Sequence, residues 1–313
     1  MARYLVTGGA GFIGSNLARY VLAKGHDVTV LDNFATGKRE NLAEIAERIT
    51  LVEGDIRDAD AVDRAMAGCC AVFHEAALGS VPRSVDDPLT SHDVNVNGTV
   101  TVLERARAAG IRRIVFAASS SAYGDRVESP KHEAMDPRPI SPYAASKVSC
   151  EAYMQGYAAS FSLETVSLRY FNVFGPRQDP FGAYAAVIPA FVSSLLAGKP
   201  PVVFGDGEQS RDFCYIDNVC HANWLAVNAP AEVCDGRAVN IACNRRTTLN
   251  EILAQLGQLM KVEVRPDYQP ERPGDVKHSL ADIGLAKERL GYDPQVYFAD
   301  GLARSIDWYR DNL

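Results

Sequence analysis

Through its first half the chain alternates short apolar runs with longer segments of helical period. Arg3 to Thr7, Asp27 to Leu31, Ile49 to Val52, Ala71 to His74 and Arg113 to Ala118 have strand length and are rich in branched and aromatic residues, as expected of strands buried on both faces of a sheet. Ser15 to Ala23, Ala59 to Met66 and Val94 to Ala109 carry helical apolar spacing between them. This alternation predicts a parallel, doubly wound α/β sheet. Such sheets gather ligands at the carboxyl ends of their strands, which puts Asp55, the Glu75-Ala76-Ala77 loop, Ser119 and Asn172 on one rim. Ser141 followed by Pro142 predicts a further helix opening there, because serine caps helices and proline fits their first position.

Beyond Asn172 the texture changes. Glycine and proline punctuate Gly175 to Asp179, Gly198 to Pro201, Gly205 to Gly207 and Pro266 to Gly274, so shorter elements of mixed type are expected. The pattern predicts a nucleotide-binding unit over residues 1–176 and a smaller mixed α/β substrate unit over 177–313. The segment near 212–240, with Asp217 as a candidate N-cap, is expected to pack back on the first unit. No internal repeat or low-complexity tail interrupts the chain.

Composition narrows the classes of function. At 313 residues the chain can bury a sizeable core, and 47% hydrophobic with 23% charged residues is ordinary for a globular protein. A formal net charge of −7 and the lack of a Lys/Arg cluster argue against a nucleic-acid-binding surface. No apolar stretch approaches the roughly 20 residues of a membrane span, and the first eight residues do not read as a secretory signal. The seven cysteines are scattered and lack Cys-x-x-Cys spacing. They read as reduced thiols in a cytoplasmic protein. His26 and His278 read as loop residues and His74 as a strand-end packing group, and no spacing of histidines with carboxylates suggests a metal site.

Two stretches carry chemistry. Gly8-x-x-Gly11-x-x-Gly14 lies between a strand and a helix, the context in which backbone N–H groups and a helix N-terminus hold a pyrophosphate in a Rossmann-type fold. Asp32 ends the second strand eighteen residues past Gly14, where a carboxylate accepts from ribose hydroxyls and repels a 2′-phosphate; NAD is therefore expected over NADP, although Lys38 and Arg39 lie nearby. Tyr143 and Lys147 share one face of the helix opened by Ser141. Alone, such a pair is more often packing and solvated charge. Lowering a phenol from about 10 to about 7 takes roughly 4 kcal/mol, more than one exposed pair supplies; the positive ring of an oxidised nicotinamide would provide the rest. Ser119, with Ser120 and Ser121 behind it, supplies a hydroxyl to orient a substrate alcohol.

Set together, these motifs, Asn95 in Asn-Val-Asn-Gly and the Leu168-to-Gly175 stretch resemble the extended short-chain dehydrogenase/reductase family from residue 3 to the C-terminus. The resemblance implies catalysis by Ser119, Tyr143 and Lys147. It implies NAD contacts from Gly8, Gly11, Phe12, Ile13, Gly14, Asp32, Asn33, Thr36, Gly37, Asp55, Ile56, Ala76, Ala77, Asn95, Lys147 and Tyr170. Ser120-Ser121-Ala122 lacks the acidic pair of the 4,6-dehydratases, and the decarboxylases place an acid there as well, which leaves epimerisation.

The stretches His74 to Ser84, Gly182 to Pro189, Ser210 to Ile216 and Gly274 to Ser279 are most similar to bacterial UDP-hexose 4-epimerases, in particular the branch acting on UDP-N-acetylglucosamine. By that resemblance Arg211 and Arg272 clamp the diphosphate. Ala186, Val187, Val202 and Phe204 line the nucleotide pocket, Asp275 meets the uridine ribose, and Asn172 meets the sugar or β-phosphate. Ser80, Ser120 and Ser121 face the sugar, and Ser279 leaves room for a C2 acetamido group. A homodimer through helices near Val94 to Ala109 and Tyr143 to Ser160 is also implied. UDP-glucuronate, or UDP-glucose and UDP-galactose, remain open as substrates; a non-catalytic NAD-binding scaffold and net oxidoreduction of a small alcohol are the readings from other classes.

Overall fold

The structure is a computed structural model that describes residues 1–179, 187–271 and 277–312. Its centre is a seven-stranded, all-parallel sheet: β1 (Arg3–Thr7), β2 (Asp27–Asp32), β3 (Ile49–Glu53), β4 (Ala71–His74), β5 (Arg113–Ser119), β6 (Glu164–Tyr170) and β7 (Asp235–Ile241), in the order β7-β6-β5-β4-β1-β2-β3. The strand order reverses direction at β1, leaving the crevice that such folds use for ligands above β1 and β4. The doubly wound Rossmann-type sheet expected from the apolar pattern is present.

Successive strand residues face opposite layers, which is why the apolar runs are nearly continuous. Tyr4 and Val6 pack with Leu17 and Val21 of α1 (Phe12–Ala23), whereas Leu5 faces the layer containing Val102 and Leu103 of α3 (Gly98–Ala108) and Met154 of α4 (Pro142–Phe161). Burying each large aliphatic chain stabilises the fold by about 1.5–3 kcal/mol. β3 is an edge strand, and Thr50, Leu51 and Glu53 on it are exposed. α2 (Ala59–Met66) is capped by Asp58, whose carboxylate accepts from Asp60 N–H.

Three boundaries differ from the sequence reading. α1 begins at Phe12, not Ser15, so the amides of Phe12 and Ile13 lie in its first turn behind Gly11. The Val94-to-Ala109 segment divides into a π-helical turn, Asp93–Asn97, and α3; the turn places the buried Asn95 beneath the 76–78 loop. The helix after Cys214–Tyr215 is capped by Tyr215 rather than Asp217, which sits in the first turn of α5 (Ile216–Val227). β7 adds to β6, and α5 packs on α1, so residues 216–227 and 235–241 are built into the sheet layers.

The remaining elements are short. Val202–Phe204 pairs with Asp267–Gln269, Ser210–Arg211 pairs with Thr247–Thr248, and α6 (Leu249–Met260) opens with a capping box between Thr248 and Glu251.

Candidate active site

The cofactor groove forms where α1 meets the strand ends. Gly8 has φ +66° and a Cβ there would come 2.7 Å from the backbone of Ala76, while a Cβ on Gly14 would lie 2.3 Å from the Gly8 carbonyl. Glycine is required at both places because two loops and a helix approach backbone to backbone. The groove, about 700 Å³, is lined by Gly8, Gly11, Phe12, Ile13, Gly14, Asp32, Asn33, Thr36, Gly37, Asp55, Ile56, Ala76, Ala77 and Ser80 among others. The helix N-terminus and glycine loop suit a pyrophosphate, and the carboxylate at the β2 end suits a ribose.

Asp32 is buried, with Oδ2 accepting from Ala10 N–H and Oδ1 from Phe34 N–H, each at 2.8 Å. Burial pushes its carboxyl up, opposed by those two bonds. The nearby cations do not converge on it: Lys38 pairs with Asp179 at 3.0 Å, and Arg39 pairs with Glu53 at 2.5 Å while covering the Phe34 ring. Asp55 accepts from Asn33 and from both ends of the Arg57 guanidinium, and the Arg57 hydrogen bonds are the main reason its carboxyl is held down at about 2.

Asn95 and Tyr170 are buried and their side chains are tied into the protein. Asn95 accepts from Leu78 N–H (2.8 Å) and donates to Ser146 Oγ (3.1 Å), clamping the 76–78 loop to α4. The Tyr170 hydroxyl donates to Glu75 Oε1 at 2.9 Å and accepts from Asn223 Nδ2 at 2.8 Å. His74 ties β1 and β4 to the Asp93–Asn97 turn. Thr99 gives its hydroxyl hydrogen to Asn95 O, so His74 Nε2 donates to Thr99 (3.0 Å) and Nδ1 accepts from Thr7 (2.7 Å). Burial first, then the Lys147 charge, pushes this imidazole down to about 3, and it stays neutral.

Tyr143 and Lys147 sit on the first turns of α4, whose cap is Ser141 Oγ accepting from Ala144 N–H at 3.2 Å. Lys147 is buried; its ammonium donates to Ala117 O at 2.7 Å and lies 6.0 Å from the Tyr143 ring centroid. The helix carrying the phenol is thereby fixed to β5, the strand that ends in Ser119. A second tie comes from Tyr143 N–H to Ser84 Oγ at 3.0 Å. Ser119 Oγ accepts from Ser121 N–H and Ser121 Oγ, at 3.2 and 2.9 Å, in the Ser120–Tyr123 turn. Ser80, expected at the sugar, lines the cofactor groove, and its hydroxyl caps Val81–Asp86.

A second cavity of about 290 Å³ adjoins the β6 end and is lined by Asn172, Val187, Val202, Phe204, Arg211, Phe213 and Leu249 among others. Asn172, at φ +28°, donates to Asp212 O at 3.3 Å. Arg211 Nη1 donates to Ser210 O and Lys277 O. Ser279 N–H donates to Ser210 O at 3.0 Å, and the following Ala281 N–H donates to Asp212 Oδ2 at 3.2 Å, which sets Ser279 beside Arg211. Asp212 also accepts from Cys243 N–H at 2.9 Å; burial pushes its carboxyl up to about 6. Ala186, Arg272 and Asp275 lie outside the described residues.

Sequence reasoning missed several wall residues. Gln178 lines the second cavity with a buried Oε1 that has no partner among the described residues, while its Nε2 is bonded to Val173 O. Gln209 lines it too. Arg57 lines the cofactor groove, beside Lys38 and Glu75, both already named from the sequence. The only sequence signal of Gln178, Gln209 and Arg57 was position: each lies within three residues of a motif already singled out. No group of three or more His, Cys, Asp or Glu side chains among the described residues is placed to hold a metal, and no described helix is long and apolar enough to cross a membrane.

A glycine-cradled groove, a buried carboxylate at the end of β2 and a Tyr-x-x-x-Lys helix anchored to a serine-ended strand define an enzyme of the extended short-chain dehydrogenase/reductase class. Residues 4–242 match the model of the NAD dependent epimerase/dehydratase family. The chain belongs to that family, and NAD is its cofactor. It is 40% identical over 318 aligned positions to a UDP-glucose 4-epimerase of Mycolicibacterium smegmatis, with 99% of each chain covered. Among solved structures it is similar to a UDP-N-acetylglucosamine 4-epimerase of Methanobrevibacter ruminantium in complex with UDP-N-acetylmuramic acid (38% identity, TM-score 0.93, 100% of this chain and 99% of the other). It is similar also to the Thermus thermophilus UDP-glucose 4-epimerase complex with NAD (37% identity, TM-score 0.88, 99% and 100% covered).

Proposed function

We propose that the protein is a UDP-sugar 4-epimerase that inverts C4 reversibly through a 4-keto sugar, with UDP-N-acetylglucosamine and UDP-N-acetylgalactosamine as its preferred pair. The observation that carries the reading is the buried Lys147, which joins the helix of Tyr143 to the strand of Ser119 through the Ala117 carbonyl. The relatives named above support it. Tyr143, with the Lys147 ammonium 6.0 Å from its ring, is the base that takes the proton of the C4 hydroxyl. Ser119 holds the same oxygen. When bound, NAD would supply a reversible hydride acceptor for C4, and the 4-keto sugar, free to turn about its bond to the diphosphate, would be reduced on its other face. Tyr143 then gives the proton back, so no net redox change results. Buried Ala122 follows Ser121 where a dehydratase needs an acid, which disfavours elimination.

Arg211 suits one side of the diphosphate because a guanidinium binds it bidentately, with Arg272 as its partner. Preference for the N-acetylated sugars rests on Ser279, a small residue whose backbone N–H pairs with the carbonyl of Ser210, the neighbour of Arg211. Ser279→Tyr is expected to depress turnover of UDP-N-acetylglucosamine about tenfold more than that of UDP-glucose, since overpacking costs about 1–3 kcal/mol. Resolving C4 epimers from a panel that also contains UDP-glucuronate tests it; equal losses on both hexoses, or inversion of the uronate alone, would reject the preference. A homodimer is part of the proposal, supported by the exposed Val85, Leu89, Tyr153 and Phe161 on and beside α4. Sedimentation at micromolar concentration checks it. A cytoplasmic setting fits the seven free cysteines.

A further inference from the structure

Glu75 differs from the other carboxylates of the cofactor groove. Asp55 is held by Arg57, Asp179 by Lys38, and Asp32 by two backbone N–H groups. Glu75 receives one neutral donor, the Tyr170 hydroxyl on Oε1; its Oε2 is buried and has no partner among the described residues. A buried oxygen in that state favours a proton or awaits a positive charge. The groups facing it are Lys147 from α4, Tyr170 from β6, Cys220 and Asn223 from α5, and the neutral His74 beside it. Lys147 acts on Glu75 electrostatically, yet its ammonium is bonded to Ala117 O and makes no ion pair with Glu75 among the described residues. Tyr143 and Lys147 share one helix face, and the Lys147 charge reaches Glu75, so a cofactor ring reacting at Tyr143 would share that electrostatic neighbourhood.

We propose that Glu75 is the counter-charge for the oxidised cofactor: protonated in the empty groove, it ionises when the positively charged nicotinamide is bound and is protonated again when that charge is absent. The step breaks one carboxylic O–H bond, delivers the proton to solvent and moves no electrons. Burial pushes this carboxyl up to about 7, which brings both states within reach near neutrality. Because Glu75 also holds Tyr170, it is a positioning residue for the end of β6. The inference depends on the cofactor alone, so failure of the sugar assignment leaves it standing.

Full-length protein freed of nucleotide is titrated calorimetrically with NAD⁺ or NADH at neutral pH in two buffers of different ionisation enthalpy, which counts protons released. All variants carry Tyr143→Phe, so the phenol contributes none. The Tyr143→Phe protein is expected to release about half a proton more with NAD⁺ than with NADH. Adding Glu75→Gln should remove that difference and weaken NAD⁺ relative to NADH about tenfold at alkaline pH. A second measurement needs no change at Glu75: the ratio of NAD⁺ to NADH dissociation constants of Tyr143→Phe should fall as pH rises through about 7. An unchanged proton count after Glu75→Gln, or a ratio that is flat with pH, overturns the proposal.

Discussion

The cofactor groove and the neighbouring cavity are built by different means. The groove is framed by the ends of five- and six-residue strands in one continuous parallel sheet and by the first turn of α1, with loops touching backbone to backbone at Gly8 and Gly14. The cavity is walled by the two- and three-residue strands Val202–Phe204 and Ser210–Arg211, by loop residues and by the first turns of the helices Val187–Leu196 and α6, and side chains that bond to backbone join these pieces. Asp212 is central to that joining, with Cys243 and Ala281 both donating to it. A cofactor that stays bound through each turnover is served by rigid ladders. Under the proposed function, substrate choice falls to the second cavity, where one side chain can change without disturbing the central sheet.

The largest expected effect breaks the chemistry that the two regions share. Tyr143→Phe should lower turnover by about 10²–10⁴ while leaving the cofactor bound, because removal of a proton-transfer group costs that much; a variant with near-normal turnover would dissolve the assigned role. Next comes the rigid side. Gly14→Ala places a methyl 2.3 Å from the Gly8 carbonyl, and a forced shift of backbone costs about 1–3 kcal/mol. NAD affinity is expected to drop at least tenfold, with a lower melting temperature, and unimpaired retention of NAD through gel filtration would show that the loop yields.

The smallest effect probes the side held by Asp212. Its folded carboxyl is raised to about 6, above the roughly 3.9 of an unfolded chain. The protonated form is therefore favoured by folding, and the stability it contributes is present below about pH 4 and is lost as pH rises through about 6. Asp212→Asn removes this dependence. The stability of wild type relative to the variant should fall by on the order of 2 kcal/mol between those limits, read from urea midpoints; a difference that does not vary with pH would mean the carboxyl titrates normally.

The same contrast explains what the sequence disclosed. The apolar runs of β1 to β5 and the Gly8-to-Gly14 loop were legible because buried parallel strands and backbone approach constrain residue types strongly. So was the Ser141-Pro142 start of α4, where capping chemistry is local. The start of α1 was misplaced by three residues because glycine and phenylalanine at Gly11 and Phe12 send no capping signal. The π-helical turn under Asn95 was invisible since its cause is tertiary, the bond to Leu78. The bond from the Tyr170 hydroxyl to Glu75 was equally invisible, because it joins β6 to the loop after β4. Gln178 escaped notice because a glutamine in a Gly/Pro-rich loop resembles any solvated residue until its amide is found buried against a cavity.

The central claim is an inversion at C4 that leaves the cofactor unchanged, and a deuterium label tests it most directly. UDP-N-acetylglucosamine carrying deuterium at C4 is incubated with the protein and NAD, and the C4 epimers are separated and analysed by mass and NMR. The expected product is UDP-N-acetylgalactosamine with the deuterium still at C4 and no accumulation of reduced cofactor. Loss of the label to solvent, or a stoichiometric rise of NADH with an oxidised sugar as product, would contradict it.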